Sequence, residues 1–205
     1  MNYIFGRAVR CGVILVLMLL PTSAGLATSL RPITFPELAT RAEDVVHARV
    51  TRVHAFADVY EGRPLVRTAV EFEVLASVDG VVRERGLTLR FLGGSVGNKT
   101  MRVDGMPTFR RGEEVVLFLH QGERQACPLV GWGNGRYNVV REPASGASYL
   151  TRDDGRVLPT IEAVDQRLRT GPQSERLDAE DGARVSLERF LAAVKTERER
   201  KARSE

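Results

Sequence analysis

Apolar and polar residues alternate along most of the middle of the chain. In Val45 to Val53, Val46, Ala48 and Val50 fall on one side and His47, Arg49 and Thr51 on the other, the period of two that a half-buried strand requires. The same alternation is clearest at Val70, Phe72, Val74 and Ala76, where Asp79-Gly80 supplies a closing turn, and it returns in Leu87 to Phe91. Val115 to Leu119 is apolar at every position and predicts a strand covered on both faces. Between the last two strands lie Gly93, Gly94, Gly97, Gly105 and Pro107, a long loop with room for a small strand at Met101 to Val103. His54 to Arg67, with Phe56, Tyr60, Gly62 and Pro64, reads as a connection. Pro128 to Trp132 and Arg136 to Arg141 read as two strand segments about the turn Gly133-Asn134-Gly135.

Helical periodicity is confined to the two ends of this β-rich region. Thr34 and Glu37 have capping-box spacing and Pro36 suits a first turn, so a short helix runs to about Ala42. Ser186 is an N-cap for a last helix with Leu187, Phe190, Leu191 and Val194 on one stripe, expected to dock on the chain's own core. Beyond Lys195 the sequence is charged and should fray. A hairpin at Tyr149 to Val157, a short helix at Ile161 to Leu168 and a linker over Thr170 to Arg184 complete the reading. The expected architecture is mainly β, a small antiparallel barrel or sandwich, with a short N-terminal and a C-terminal helix. Four segments follow: 1–27, a leader; 28–145, the barrel; 146–185, an irregular extension; and 186–205, the terminal helix.

Composition changes this picture chiefly at the start of the chain. Arg7 and Arg10 precede an apolar stretch from Cys11 to Leu20, then Pro21 and small residues ending Gly25-Leu26-Ala27. That order is a secretory signal peptide, too short for a membrane span, with cleavage expected after Ala27 and Ala24 as second choice. The alternative is an uncleaved anchor. A secreted or periplasmic location follows, with no membrane span after cleavage. The full chain holds 30 basic and 26 acidic residues; losing residues 1–27 removes two arginines and no acid, leaving 28 against 26. That near balance does not suggest a nucleic-acid partner. Cys127 then stands alone, so it cannot form an intramolecular disulfide and reads as a small buried hydrophobe, against an intermolecular disulfide or a reactive thiol.

Pro36 to Val53 (PELATRAEDVVHARVTRV) and Gly62 to Gly80 (GRPLVRTAVEFEVLASVDG), with Met101 to Leu119 behind them, carry a resemblance. In order they resemble the helix, first strand, second strand and later loop and strand of the tissue inhibitors of metalloproteinases and of netrin-like modules, whose fold is an OB-type barrel. The chain is also similar to a broad set of uncharacterised exported bacterial proteins, which share a strand like Glu43-Asp44-Val45-Val46, a Gly-Gly loop and a Gly-Glu step before an apolar strand. The resemblance spans roughly Thr34 to Arg141. It implies an OB-like barrel that binds proteins, with an exported protease as partner. In the inhibitor family a disulfide-bonded N-terminal cysteine chelates the protease zinc. Here the expected mature start is Thr28-Ser29-Leu30, so that mechanism is not carried over.

Candidate chemistry is sparse. His47 and His54 are an odd number of residues apart and point to opposite faces of a continuous strand, so they make no metal pair. The acid groups Asp153-Asp154 and Asp178, Glu180, Asp181 lack the spacing of a calcium loop and read as solvated surface. Ser95, in Gly93-Gly94-Ser95-Val96-Gly97, matches the pentapeptide of a nucleophile elbow, but that motif needs a strand-to-helix turn in an α/β fold. No catalytic residue, metal or cofactor is therefore expected. The glycines answer to tight turns, Arg110 and Arg111 to a solvated turn or an anion contact, and Trp132 beside Tyr137 to core packing or a ligand platform. The expected binding surface comprises Phe56, Tyr60, Gly93, Gly94, Ser95, Arg110, Arg111, Trp132 and Tyr137. The expected function is non-catalytic protein binding, against a structural envelope role through the last helix and, third, hydrolysis.

Overall fold

The computed structural model describes residues 33–79, 85–120, 126–166 and 183–204. The expected leader, Thr28-Ser29-Leu30, Gly80, the expected linker through residue 182 and the acid group Asp178, Glu180, Asp181 lie outside the described residues. The chain is mainly β. A helix α1 (Phe35–Arg41) leads into β1 (Asp44–Tyr60), β2 (Arg63–Ser77), β3 (Gly86–Leu92), β4 (Gly94–Val96), β5 (Lys99–Met101), β6 (Glu114–Leu119), β7 (Arg136–Arg141) and β8 (Ser148–Thr151), and α2 (Leu187–Ala202) closes the chain. Six strands form one antiparallel sheet in the order β3-β2-β1-β6-β7-β8, while β4 and β5 pair separately.

β6 lies inside this sheet and is covered on both faces, as its uninterrupted apolar sequence requires. Val116 and Phe118 enter one apolar cluster with Val45, Tyr137 and Leu150, closed by Phe35 and Leu38 of α1 and by Leu187, Phe190 and Val194 of α2. Val115, Leu117 and Leu119 enter a second with Val46, Ala48, Val50, Val70, Phe72, Leu89 and Phe91. Burying each such side chain is worth about 1.5–3 kcal/mol, so the two clusters hold the sheet from both sides. The alternation thus points Val46, Ala48 and Val50 of β1, Val70, Phe72 and Val74 of β2 and Leu87, Leu89 and Phe91 of β3 into the second cluster, whereas Ala76, beyond a register shift at His47/Ala48, does not enter it.

Both helices are capped as their sequences foretell. The Thr34 hydroxyl accepts from the Glu37 N–H at 3.3 Å, and the Ser186 hydroxyl accepts from Arg189 N–H at 3.2 Å. Beyond Lys195, however, α2 does not fray: it runs to Ala202, because Arg198 is held at its far end. The Arg198 guanidinium donates to the carbonyls of Ala39, Ala42 and Glu43 and to both carboxylate oxygens of Asp79. It satisfies carbonyls at the C-terminus of α1, where a cation also suits the helix dipole.

Four further expectations are corrected. His54 to Arg67 is not a loop. β1 and β2 continue through it as a ladder to Tyr60↔Arg63, closed by a two-residue turn whose residues Glu61 and Gly62 have φ of 50° and 74°. Positive φ at both central residues is the type I′ signature that matches strand twist. Gly62 is a turn residue of a hairpin and Pro64 already stands in β2, opposite Val59, so neither marks a loop. Second, Arg136 to Arg141 does not pair with Pro128 to Trp132. β7 pairs with β6 from Glu114 to Leu117, and residue 129 bridges the far end of the same β6 edge at Leu119, while Trp132–Gly135 is a 3₁₀ turn. Third, the small strand is Lys99–Met101, and its partner Gly94–Val96 lies in the glycine run. Fourth, the segment from Ile161 contains a 3₁₀ turn at Glu162–Gln166 instead of an α-helix. The sheet also continues past residue 145, since β8 pairs with β7.

Between β3 and β8, the outer strands of this order, no ladder forms among the described residues. A single backbone bond, Leu92 N–H to Ala126 C=O at 3.0 Å, links the end of β3 to the segment that bridges β6.

Candidate functional site

A concavity lies over the second apolar cluster, where the β4–β5 hairpin and the segment Arg102 to Phe109 rise from the sheet. It encloses about 620 Å³, with Val53, Val70 and Phe91 as its floor and Met101, Val103, Met106 and Pro107 among its walls. Thr68, Ser95, Thr100 and Thr108 add hydroxyls. Flexible thioethers with a few polar groups make a surface that adapts to more than one apolar partner.

Local backbone chemistry places these walls. Gly93 and Gly94 take φ of 103° and 132°, which bends the chain from β3 into β4. A Cβ on Gly94 would lie 2.5 Å from Thr68 Oγ1 and 3.1 Å from Ala55 Cβ, so only glycine lets β4 lie on the β1–β2 ribbon. The Thr68 hydroxyl donates to Gly93 C=O at 2.8 Å and pins the bend.

The opposite wall depends on Arg136, which the sequence reading did not single out. This nearly buried guanidinium donates to Thr108 C=O at 2.6 Å, Asp153 at 3.0 Å, Glu113 at 2.9 Å and Asn138 at 2.8 Å. It also stacks 4.6 Å above the Phe109 ring. Two carboxylates around one buried cation fit the rule that buried charge must be paired. Glu113 and Asp153 stand 40 positions apart, so no local signal joins them.

Of the expected binding residues, Gly93, Gly94 and Ser95 line the cleft. Phe56 and Tyr60 stand on the β1–β2 ribbon outside it. Phe56 is half-buried with Arg90 6.0 Å over its ring, and Tyr60 is exposed near the turn. Arg110 and Arg111 are exposed where the cleft wall turns into β6. Trp132 packs partly buried against the second cluster and holds a φ of 59°. Tyr137 is corrected: it is 1 % exposed, with its ring 5.1 Å from Phe190 and 6.1 Å from Phe118, and belongs to the core.

The reactive side chains have ordinary partners. The Ser95 hydroxyl lies 2.9 Å from that of Thr100 across the β4–β5 hairpin, a strand-to-strand setting. Burial pushes the Cys127 thiol up to about 11, which keeps it protonated and inert as a nucleophile. His47 sits 3.3 Å from Glu114, and burial lowers its pKa despite that carboxylate. Glu114 itself is lowered chiefly by the hydrogen bond it accepts from Arg49 at 2.7 Å. Asp153 faces Arg136 and Asp154 faces Arg156. Among the described residues no three His, Cys, Asp or Glu side chains converge as metal ligands, and no helix is long and apolar enough to cross a membrane.

Set against protein-family models, curated proteins and solved structures, the chain matches none.

Proposed function

We propose that this protein is an exported, non-catalytic protein-binding module that engages its partner through the Gly93 to Phe109 cleft. The observation that carries the reading is the cleft itself, about 620 Å³ and built from thioethers and valines over a rigid sheet. Export to the periplasm or beyond rests on the leader-like order of Arg7, Arg10 and the apolar run behind them. An OB-like arrangement of the tissue-inhibitor or netrin type is supported by the Leu92–Ala126 bond, which brings the end of β3 toward the segment bridging β6 around one apolar cluster. The partner we favour is an exported protease, on the resemblance alone. Envelope assembly through α2 has less support, because Leu187, Phe190 and Val194 are already buried in the chain's own core.

The test is a crosslinking pull-down of the processed protein from its own envelope and culture fluid, with Met106→Glu beside the native chain. Stoichiometric recovery of a protease by the native chain, lost with Met106→Glu, is the expected result. Recovery of the bait alone would overturn the reading.

A further inference from the structure

The β1–β2 ribbon has one edge without a partner. β6 pairs with β1 only from Asp44 to Arg49, and Val50 exchanges bonds with Gly112 and Glu113. From Arg52 to Tyr60 no strand lies beside β1 on that side among the described residues. The turn at Glu61-Gly62 makes Tyr60↔Arg63 a hydrogen-bonded pair, and bonding alternates along an antiparallel ladder. Residues 54, 56 and 58 therefore bond to β2, and the N–H and C=O groups of Val53, Ala55, Ala57 and Val59 point away from it. Val59 shows this directly: its N–H is met by the neighbouring Asp58 carboxylate at 2.8 Å instead of by a strand. An open row of this length is a template for another strand. Among the described residues, three of the four large exposed hydrophobic side chains, Val53, Val59 and Tyr60, lie on it.

We propose that the open edge of β1 pairs antiparallel with the same edge of a second copy, about a two-fold axis at Phe56. The sequence of the edge is self-complementary in that register. Where positions sum to 112, the outward groups of residues 53, 55, 57 and 59 meet those of 59, 57, 55 and 53 of the other copy, so every outward donor faces an acceptor. Val53 then covers Val59 and Ala55 covers Ala57 on one face. On the other, Phe56 meets Phe56, Arg52 reaches the Tyr60 ring and His54 faces Asp58. The basic half of the edge thus lies against the acidic half, and each contact occurs twice. An extended segment of an unrelated protein would gain the backbone bonds but has no reason to supply this pattern of side chains. The interface shares Val53 with the floor of the cleft, but it requires no partner in the cleft.

The mass of the processed native protein in solution, by sedimentation equilibrium across the micromolar range, gives the first test, and a dimer is expected. A monomer throughout would overturn the proposal, whether the edge stays open or serves another protein. Ala57→Pro removes one outward N–H without touching the β2 ladder, so it should give a folded monomer. A folded Ala57→Pro protein that stays dimeric would move the interface elsewhere. Register is tested by pairing Val53→Lys with Val59→Asp. Each alone should weaken the dimer about tenfold, and the double variant should restore it, because 53 meets 59 twice. Finally, Phe56→Cys should form a disulfide dimer when dissolved oxygen is the oxidant, since residues facing at a non-hydrogen-bonded pair sit about 4.5 Å apart at Cα. Failure of both rescue and crosslink would overturn the register.

Discussion

The two halves of β1 and β2 are the same strands in two environments. From Asp44 to Val50, β1 is flanked by β2 and β6 and its apolar residues are buried in one cluster or the other. From Arg52 to Tyr60 it has β2 alone, and Val53, Val59 and Tyr60 remain exposed. The change occurs at a bulge, where Val50↔Phe72 is followed by Arg52↔Glu71 and Thr51 is left over. A bulge re-aims the strand and raises its twist, so one continuous element serves as core at one end and as surface at the other. Stability should therefore reside in the proximal half, and recognition in the distal half and the cleft beside it.

The sharpest way to break that comparison is a substitution in the core beneath the proximal half. Phe118 is fully buried and its ring stands 6.0 Å from Phe190 and 6.1 Å from Tyr137. Phe118→Ala should cost about 3–5 kcal/mol, read as a lower urea midpoint, because the aromatic cluster cannot collapse into the space. If the loss were below about 1 kcal/mol, within the range of ordinary surface changes, the double-faced burial of β6 would not be what holds the sheet.

A smaller effect belongs to the junction between the halves and the cleft. Gly94→Ala combines a φ of 132° with a Cβ 2.5 Å from Thr68 Oγ1. We expect a loss of about 1–3 kcal/mol, together with loosening of the β4–β5 hairpin that Thr68 pins through Gly93. Amide exchange should speed up in residues 94–101 while β6 stays protected. Uniform exchange across both would show that the hairpin is not a separate unit.

The proximal half was legible in the sequence because its physics is local and periodic. Alternation at Val46, Ala48 and Val50 and the apolar run at Val115 to Leu119 each imply one geometry, and both caps, Thr34 and Ser186, sit beside the groups they satisfy. The distal half was misread because Gly62 and Pro64 suit a loop and a tight hairpin equally, and only the unbroken ladder distinguishes them. Arg136 and Arg198 were invisible for a different reason. Their partners, Glu113 and Asp153 for one and Ala42 and Asp79 for the other, meet only after the sheet and helices have assembled. Part of the candidate site was legible: the glycines marked one wall of the cleft, but nothing marked Arg136 as the support of the other. Tyr137 was ambiguous because alternation alone does not reveal which face of a strand a terminal helix will cover.

The smallest expected effect is a pH dependence that sharpens the same comparison, since His47 lies in the proximal half and Glu114 stands beside it on β6. His47 is buried, and its pKa is lowered from 6.5 mainly by desolvation, with Arg49 and Arg141 adding to that and Glu114 opposing it. The folded state thus favours the neutral imidazole, whose Nε2–H can donate to Glu114. A histidine depressed by folding contributes stability that is fully present above 6.5 and is lost as pH falls toward its folded value. Glu114 is also lowered, from 4.5, first by the hydrogen bond from Arg49, so its contribution is present above 4.5 and is lost at lower pH still. Stability should therefore fall in two stages on acidification, His47 first. In His47→Gln the fall just below pH 6.5 should disappear while the later one remains, as read from urea midpoints at successive pH values. If the first stage survived in His47→Gln, the assignment of that stage to His47 would be overturned.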